Sequence, residues 1–192
     1  MTTEKDVLLR YLQSSRDAVV WKLEGLSERD MRWPMTRTGT NLLGLVKHLA
    51  YVELGYFGDV FDRPAGIPSP WDDNDAPDNA DMWATADEPS DAIISLYRRA
   101  WAHADSTIRE LALDAPGRVP WWGDAGDVTL HRVLVHVIAE TARHAGHADI
   151  VRELIDGAAG IRAGNSNLPD HDAAWWADYV ATLERAADDA AQ

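Results

Sequence analysis

Apolar residues recur along this chain at the spacing of α-helices. Near the amino terminus, Val7, Tyr11, Ala18 and Trp21 share one stripe, which predicts a first helix over about 3–24. The same periodicity predicts four further helices. Their approximate ranges are 41–61, 90–113, 129–156 and 170–187. No segment shows the alternation of a convincing strand, so an all-α protein is expected.

Capping residues set the limits of these helices. Thr38 or Thr40 is expected to cap the second helix, because a threonine hydroxyl can accept a hydrogen bond from the first turn. Thr129 can cap the fourth helix in the same way, and Gly157 can end it in a left-handed conformation.

The lengths of the helices and of their connections predict the architecture. Helices of about 20 residues joined by loops are typical of a four-helix up-and-down bundle, to which the fifth helix adds a carboxyl-terminal element. Residues 1–192 contain no repeat or low-complexity linker, and we expect a single domain. The long loop 62–88 contains Trp71 and Trp83, which favour an ordered segment.

Composition and charge exclude several functions. The chain has 18 Lys and Arg against 32 Asp and Glu, a formal charge of −14, which is the wrong sign for binding nucleic acid. The acidic segment 71–81 is predicted to be a solvated loop, since it lacks the Gly and distal Glu of an EF-hand. Without cysteine the chain has no disulfide, thiolate ligand or cysteine nucleophile.

The beginning of the chain, MTTEKDVLLRYLQ, lacks the apolar core of a signal peptide. No later window offers the roughly 18 uninterrupted apolar residues of a membrane-spanning helix. We therefore expect a cytoplasmic protein that neither crosses a membrane nor binds nucleic acid.

The fourth predicted helix carries a stripe of polar side chains. His136, Glu140, His144 and His147 follow one another at spacings of four, four and three residues. At about 100° per residue they fall within an arc of roughly 80°. Burying imidazoles and a carboxylate together is costly unless a metal ion binds them. The stripe therefore indicates a metal site.

One helix cannot complete the coordination shell of a metal, so a partner helix is needed. His48 shares a face of the second helix with Leu45 and Val52 and is expected to point toward the core. With Glu140 and His144 it would form a set of two histidines and one carboxylate that leaves positions open.

A structural alternative remains open at this point. The stripe histidines could bond to carbonyl groups, with Glu140 paired to Arg132 or Arg143. The remaining histidines are expected to have surface or capping roles: His103, His131 and His171.

The motifs KHLAYVE in the second helix and ETARHAGHAD in the fourth resemble the DinB-like superfamily of four-helix bundles. This superfamily includes mycothiol-dependent maleylpyruvate isomerase and the bacillithiol S-transferases. The resemblance implies that His48, Glu140 and His144 bind a divalent metal. It makes His136 and His147 catalytic residues that shape the pocket or relay protons, although either could be a ligand if the helix is rotated.

The resemblance also implies a reaction in which a metal-activated low-molecular-weight thiol, such as mycothiol, attacks a small electrophile. Trp121 and Trp122 precede the fourth predicted helix and are expected to line the pocket that binds the thiol. Zinc is the first expectation for the metal, and Ni, Fe, Mn and Co suit the same ligands.

Two other functions stay open. They are a metal-dependent hydrolase and a non-catalytic, stress-related binding protein of the same fold. The isomerase itself has a second domain, which this sequence does not contain, so isomerase activity is not expected. By analogy with similar bundles, a homodimer is expected.

Overall fold

Six α-helices account for most of residues 2–191, which are the part of the chain that this computed structural model describes. The helices are α1 Glu4–Trp21, α2 Glu28–Arg32, α3 Leu42–Phe57, α4 Ser90–Glu110, α5 Leu130–Asp156 and α6 Ala173–Asp189. In the bundle, α3 packs against α4 and α5, and α1 packs against α5 and α4. The predicted all-α four-helix bundle with an additional carboxyl-terminal helix is confirmed. Within residues 2–191, none of the helices combines the length and the hydropathy of a membrane-spanning segment.

The residue that caps helix α3 lies one to three positions after the expected ones. Asn41, and not Thr38 or Thr40, caps the helix, because its Oδ1 accepts a hydrogen bond from the backbone N–H of Gly44 at 2.7 Å. The helix ends at Phe57 and a short 3-10 turn follows, so the predicted end at residue 61 was too late. Helix α3 buries most of its residues and forms the centre of the bundle.

Two short strands precede α5, contrary to the expectation of no strand. Strand β1 Pro116–Arg118 pairs antiparallel with β2 Asp127–Thr129, with Gly117 opposite Val128. Strands of three residues are too short for a detectable alternation of polar and apolar positions. The hairpin encloses the 3-10 turn Pro120–Ala125, which carries both tryptophans that were predicted to wall the pocket.

The limits of α5 agree with the prediction. The hydroxyl of Thr129 accepts a hydrogen bond from the backbone N–H of Arg132, and Gly157 ends the helix at a φ of 77°. A left-handed φ of this kind is easily adopted only by glycine, so the helix has a sharp end.

A buried ion pair holds α3 against its neighbours. Arg16 of α1 and Glu53 of α3 are both fully buried, and Arg16 Nε donates to Glu53 Oε1 at 2.9 Å. Arg16 also donates to Asp105 of α4 at 2.9 Å. Removing one partner of such a pair costs about 3–5 kcal/mol, since the other is left buried and uncompensated. The pair lies less than two turns from His48 and fixes the position of its helix.

Helix α6 differs from the other long helices. None of its described residues is buried. Its apolar side remains exposed, including Trp175, Tyr179, Val180 and Leu183. The helix is therefore an appendage of the bundle in this structure.

Candidate metal centre

Three side chains meet where α3 packs against α5. His48 Nε2 lies 3.5 Å from Glu140 Oε1, and His144 Nε2 lies 3.0 Å from the same oxygen. The imidazole rings of His48 and His144 are 4.9 Å apart. One donor atom from each of the three residues lies within 4.8 Å of the others. The structure thus brings together the three residues that the sequence predicted as ligands.

This donor set fits a divalent metal. Zinc binds histidine nitrogen and carboxylate oxygen at about 2.0–2.2 Å, so donors in a tetrahedral arrangement are about 3.4 Å apart. The two separations from Glu140, 3.0 and 3.5 Å, lie on either side of that value. Two imidazoles and a carboxylate also suit Ni, Fe, Mn and Co, so the set does not identify the metal.

Asp81 orients His48. The Nδ1–H group of His48 donates to Asp81 Oδ2 at 2.6 Å. Because an ionised carboxylate only accepts hydrogen bonds, the proton belongs on Nδ1 and the lone pair of Nε2 is directed toward Glu140. Burial opposes the ionisation of Asp81, but the hydrogen bond and charge of His48, together with hydrogen bonds from the backbone and from Trp71, hold the pKa of Asp81 below its usual value.

The Asp81 segment reaches α3 because position 44 is a glycine. A Cβ atom on Gly44 would lie 1.8 Å from the backbone oxygen of Met82, which leaves no room for any larger residue. The side chain of Asn41 donates to that same oxygen at 3.2 Å. Gly44 lies about one turn before His48 on α3, so the close approach places Asp81 beside the histidine.

Sequence reasoning missed Asp81. The residue belongs to the acidic segment 71–81, which was expected to be solvated, yet Asp81 is only 6% exposed. The expectation is therefore wrong for this residue. Its contact with His48 spans 33 positions of the chain, and no local pattern signals it.

The protonation states at the cluster suit metal binding. Burial and the neighbouring His48 lower the pKa of His144, which keeps its imidazole neutral near pH 7. Burial opposes the ionisation of Glu140, but His144 and His48 hold its pKa below the usual value. Neutral imidazoles and an ionised carboxylate are the metal-binding forms. The alternative pairing of Glu140 with Arg132 or Arg143 is wrong, since Glu140 bonds to His144.

The other two histidines of the stripe have different surroundings. His136 lies between aromatic rings, 4.9 Å from Tyr56 and 4.8 Å from Trp122, and burial lowers its pKa. His147 is exposed, and its Nδ1 lies 3.3 Å from Nδ1 of His144. His136 and His147 thus lie in different surroundings, and a catalytic role for either one stays a prediction.

A cavity of about 1070 Å³ lies beside the cluster. His48, Glu140 and His136 line it, whereas His147 is not among its lining residues. The loop 62–88 forms another part of its wall and contributes Trp71, whose ring lies 6.3 Å from that of His48. The cavity therefore gives a small molecule access to His48 and Glu140.

The two tryptophans of the 3-10 turn before α5 have separate roles. Trp121 lines the cavity, and its Nε1–H donates to Tyr56 Oη at 3.2 Å. Trp122 is not among the lining residues; it packs on His136, and the guanidinium of Arg132 lies 5.0 Å from its ring. Of the predicted pair, only Trp121 forms part of the wall.

The remaining histidines lie outside the cluster. His103 Nε2 is hydrogen bonded to the backbone oxygen of Arg63 at 2.8 Å. His131 is exposed on α5, and His171 stacks on the ring of Trp175 at 3.9 Å.

Comparison with known proteins adds a family and a fold. The family model described as Mycothiol-S-transferase matches residues 7–157, from α1 to the glycine that ends α5. A similar solved structure is that of a conserved protein from Enterococcus faecalis. It superposes with a TM-score of 0.60 at 15% identity and covers 82% of this chain and 100% of that chain. At this identity the likeness shows the fold alone. No functionally curated protein matches the chain.

Proposed function

The chain belongs to the mycothiol S-transferase family, and on this basis we propose that it is a divalent-metal-dependent enzyme that transfers a low-molecular-weight thiol of the mycothiol type to a small electrophile. The observation that carries the proposal is the cluster of His48, Glu140 and His144 beside a cavity of about 1070 Å³. Sites for small molecules commonly occupy about 300–1,000 Å³, so the cavity has room for a thiol and its electrophile together.

His48, Glu140 and His144 would hold the metal. Bound there, a divalent ion supplies a Lewis acid that lowers the pKa of a thiol. These three protein ligands leave positions for a substrate atom. Because the chain contains no cysteine, the reacting sulfur comes from an external thiol.

The transfer requires a group that accepts a proton. The thiol loses its proton, its sulfur forms a bond to the electrophilic carbon, and the leaving group departs with the electron pair of the broken bond. His136 lines the cavity and is neutral near pH 7, because burial lowers its pKa. A ring nitrogen of His136 therefore accepts the thiol proton.

Two further residues act through the ligands. Asp81 keeps the lone pair of His48 Nε2 directed at the cluster. His147, whose Nδ1 lies 3.3 Å from Nδ1 of His144, orients that ring in the same way and is a positioning residue.

Metal content tests the ligand set. We expect about one divalent ion per chain in the purified protein and less than about a tenth of that in His48→Ala and His144→Ala, since two remaining ligands bind weakly. His131→Ala is the matched control, because this exposed histidine lies on α5, as His144 does, but outside the cluster. Full metal occupancy in His48→Ala would contradict the assignment.

Turnover tests the reaction class. Metal-loaded protein is mixed with mycothiol and with alkyl halides or epoxides, and the loss of free thiol is followed. We expect consumption that depends on both substrates and disappears in His144→Ala. Turnover of esters without any thiol would indicate the hydrolase instead. Saturable binding of these compounds, with no turnover of the thiol mixtures or of the esters, would indicate a binding protein.

Three expectations from the sequence stay predictions. They are the single domain, the homodimer and the cytoplasmic location. Sedimentation of the purified chain would test the second of them.

A further inference from the structure

The cavity beside the metal cluster has an unusual balance of charge. Its wall carries carboxylates at Asp59, Asp72 and Glu140. Among the described residues that line it, none is Lys or Arg. The rest of the wall is largely aromatic and apolar, with Tyr51 and Trp71 on one side. An anion in this cavity would therefore meet no fixed cationic side chain.

Asp59 and Asp72 lie close enough to affect each other. Burial and the negative charge of Asp72 raise the pKa of Asp59, while His103 opposes that rise. The carboxylate of Asp72 also accepts a hydrogen bond from the backbone N–H of Ser69 at 2.8 Å, which fixes its position in the wall. The two carboxylates thus concentrate negative charge on one side of the cavity.

Two arginines adjoin lining residues, but their guanidinium groups bond elsewhere, and Arg132 acts by its charge on one lining residue, His136, whose pKa burial and that charge both lower. Arg63 donates to Thr107 Oγ1 at 3.1 Å and to Glu110. Arg132 donates to backbone oxygens of the hairpin before α5 and lies against Trp122. Neither guanidinium is among the groups that line the cavity.

A bound metal would not make the cavity attractive to a further anion. A divalent ion held by the cluster would bring two positive charges, of which Glu140 would compensate one and a thiolate substrate the other. Asp59 and Asp72 then remain as negative groups facing the rest of the bound molecules. The whole chain carries a formal charge of −14, which adds a field of the same sign.

We propose that this cavity selects thiols without an anionic group and discriminates against thiols that carry a carboxylate, with Asp59 and Asp72 as the specificity-determining residues. The inference rests on the proposed function, because it names the class of thiol used at the same site. Neutral hydroxyl or amide groups suit the wall, since they can bond to carboxylates without repulsion.

Two thiols that differ in one group test the proposal. N-acetylcysteine carries a carboxylate, whereas N-acetylcysteinamide has a neutral amide in its place. With metal-loaded protein and one electrophile, and after correction for the uncatalysed rates, we expect kcat/KM to be at least fivefold higher for the amide. The difference should lie mainly in KM, because the carboxylates act on binding.

Variants assign the effect to the two aspartates. In the double variant Asp59→Asn/Asp72→Asn the preference for the amide should fall below twofold, and in Asp59→Asn alone it should fall by a smaller factor. Asp78→Asn removes the same charge from an exposed position outside the cavity and should keep the full preference. Equal use of both thiols by the unmodified chain, or an unchanged preference in a double variant with native circular dichroism, would overturn the proposal.

A binding measurement separates this inference from the proposed function. Trp71 and Trp121 line the cavity, so ligand binding can be followed by quenching of tryptophan fluorescence. If neither thiol is consumed, the proposed transferase function fails. In that case tighter binding of the amide by at least fivefold would still support the charge selection, and equal binding would refute it.

Discussion

Helices α5 and α6 both have an apolar stripe, but they have different places in the molecule. Helix α5 buries ten residues and carries two members of the metal cluster, whereas α6 buries none of its described residues. The family match ends at residue 157, directly after α5. Periodicity thus predicts a helix without predicting the surface that covers it. We therefore expect the bundle and its site to depend on α5 and to be almost independent of α6.

Truncating one leucine in each helix tests this contrast most strongly. Leu134 of α5 is 0% exposed and Leu183 of α6 is 51% exposed. Leu134→Ala should lower the free energy of unfolding by about 2–5 kcal/mol, because it leaves a cavity in the core. Leu183→Ala should change it by less than about 0.5 kcal/mol. Urea titrations measure both values, and equal losses would show that α6 is packed in solution.

Replacing one aspartate at the metal cluster and one at α6 tests the same contrast at the level of the site. Asp81→Asn replaces the acceptor of His48 Nδ1–H and should weaken metal affinity by about 10–100-fold, as loss of such supporting contacts usually does. Asp172 caps α6, and Asp172→Asn removes the same charge while keeping a good capping residue. Competition with a chelator should show an unchanged metal affinity for this control. A similar loss in both variants would point to net charge as the cause.

The carboxyl-terminal end of α5 provides a pH-dependent test. Arg152 donates three hydrogen bonds to Asp156 and others to the backbone oxygens of Lys22 and Glu24, so it ties α5 to the end of α1. Hydrogen bonds from Arg152 hold the pKa of Asp156 below its usual value. A carboxyl group whose pKa is lower in the folded chain than in the unfolded chain contributes stability. The contribution is fully present above the pKa of the unfolded chain, about 4, and it is lost as the pH falls through the pKa of the folded chain.

Asp156→Asn should therefore be less stable than the unmodified chain at pH 7 and equal to it near pH 2. Because Asp156 is partly exposed and screened by water, the difference at pH 7 should be only about 0.5 kcal/mol. Urea titrations at several pH values measure it. A difference that persists in acid would mean that the hydrogen bonds of the neutral side chain, rather than its charge, are responsible.

Removing α6 should have the smallest effect. A chain that ends at residue 169 keeps the segment after α5, including Gly160, whose backbone oxygen accepts a hydrogen bond from the buried Lys22. Since α6 buries no described residue, its loss should shift Tm by less than about 2 °C and leave one metal per chain. Calorimetry and elemental analysis measure these two quantities. A large fall in Tm would mean that α6 packs against the bundle in solution.

Local patterns were sufficient to predict the candidate residues of the cluster. Glu140 and His144 are one turn apart on one face of α5, and His48 shares its face with apolar residues of α3, so helical periodicity makes all three candidates. The same stripe also holds His136 and His147, and the resemblance to the DinB-like superfamily singled out Glu140 and His144 from it. The caps of α5 were predictable for the same reason, since Thr129 and Gly157 act within a few residues of their own position. What the three residues bind remains a proposal.

Contacts between distant segments were not predictable. Asp81 was assigned to a solvated loop because its neighbours are acidic, and its burial depends on the close approach at Gly44. The hairpin before α5 was missed because its strands are too short to alternate. Trp121 and Trp122 are adjacent in sequence, but successive residues of a turn point in different directions, and only Trp121 reaches the cavity.

The missing side chain at Gly44 has a consequence for how the protein responds to its ligands. The absence of a Cβ atom at Gly44 lets the loop 62–88 pack directly on α3. This loop contributes both Asp81, which lies beside His48, and Trp71, which lies in the cavity wall. If the cluster binds a metal, a molecule that favours the docked loop over other positions would also favour metal binding, by thermodynamic linkage. The metal would then raise the affinity for that molecule by the same factor. Gly44, which contacts neither the metal site nor the cavity, would therefore determine the coupling free energy between metal binding and binding in the cavity.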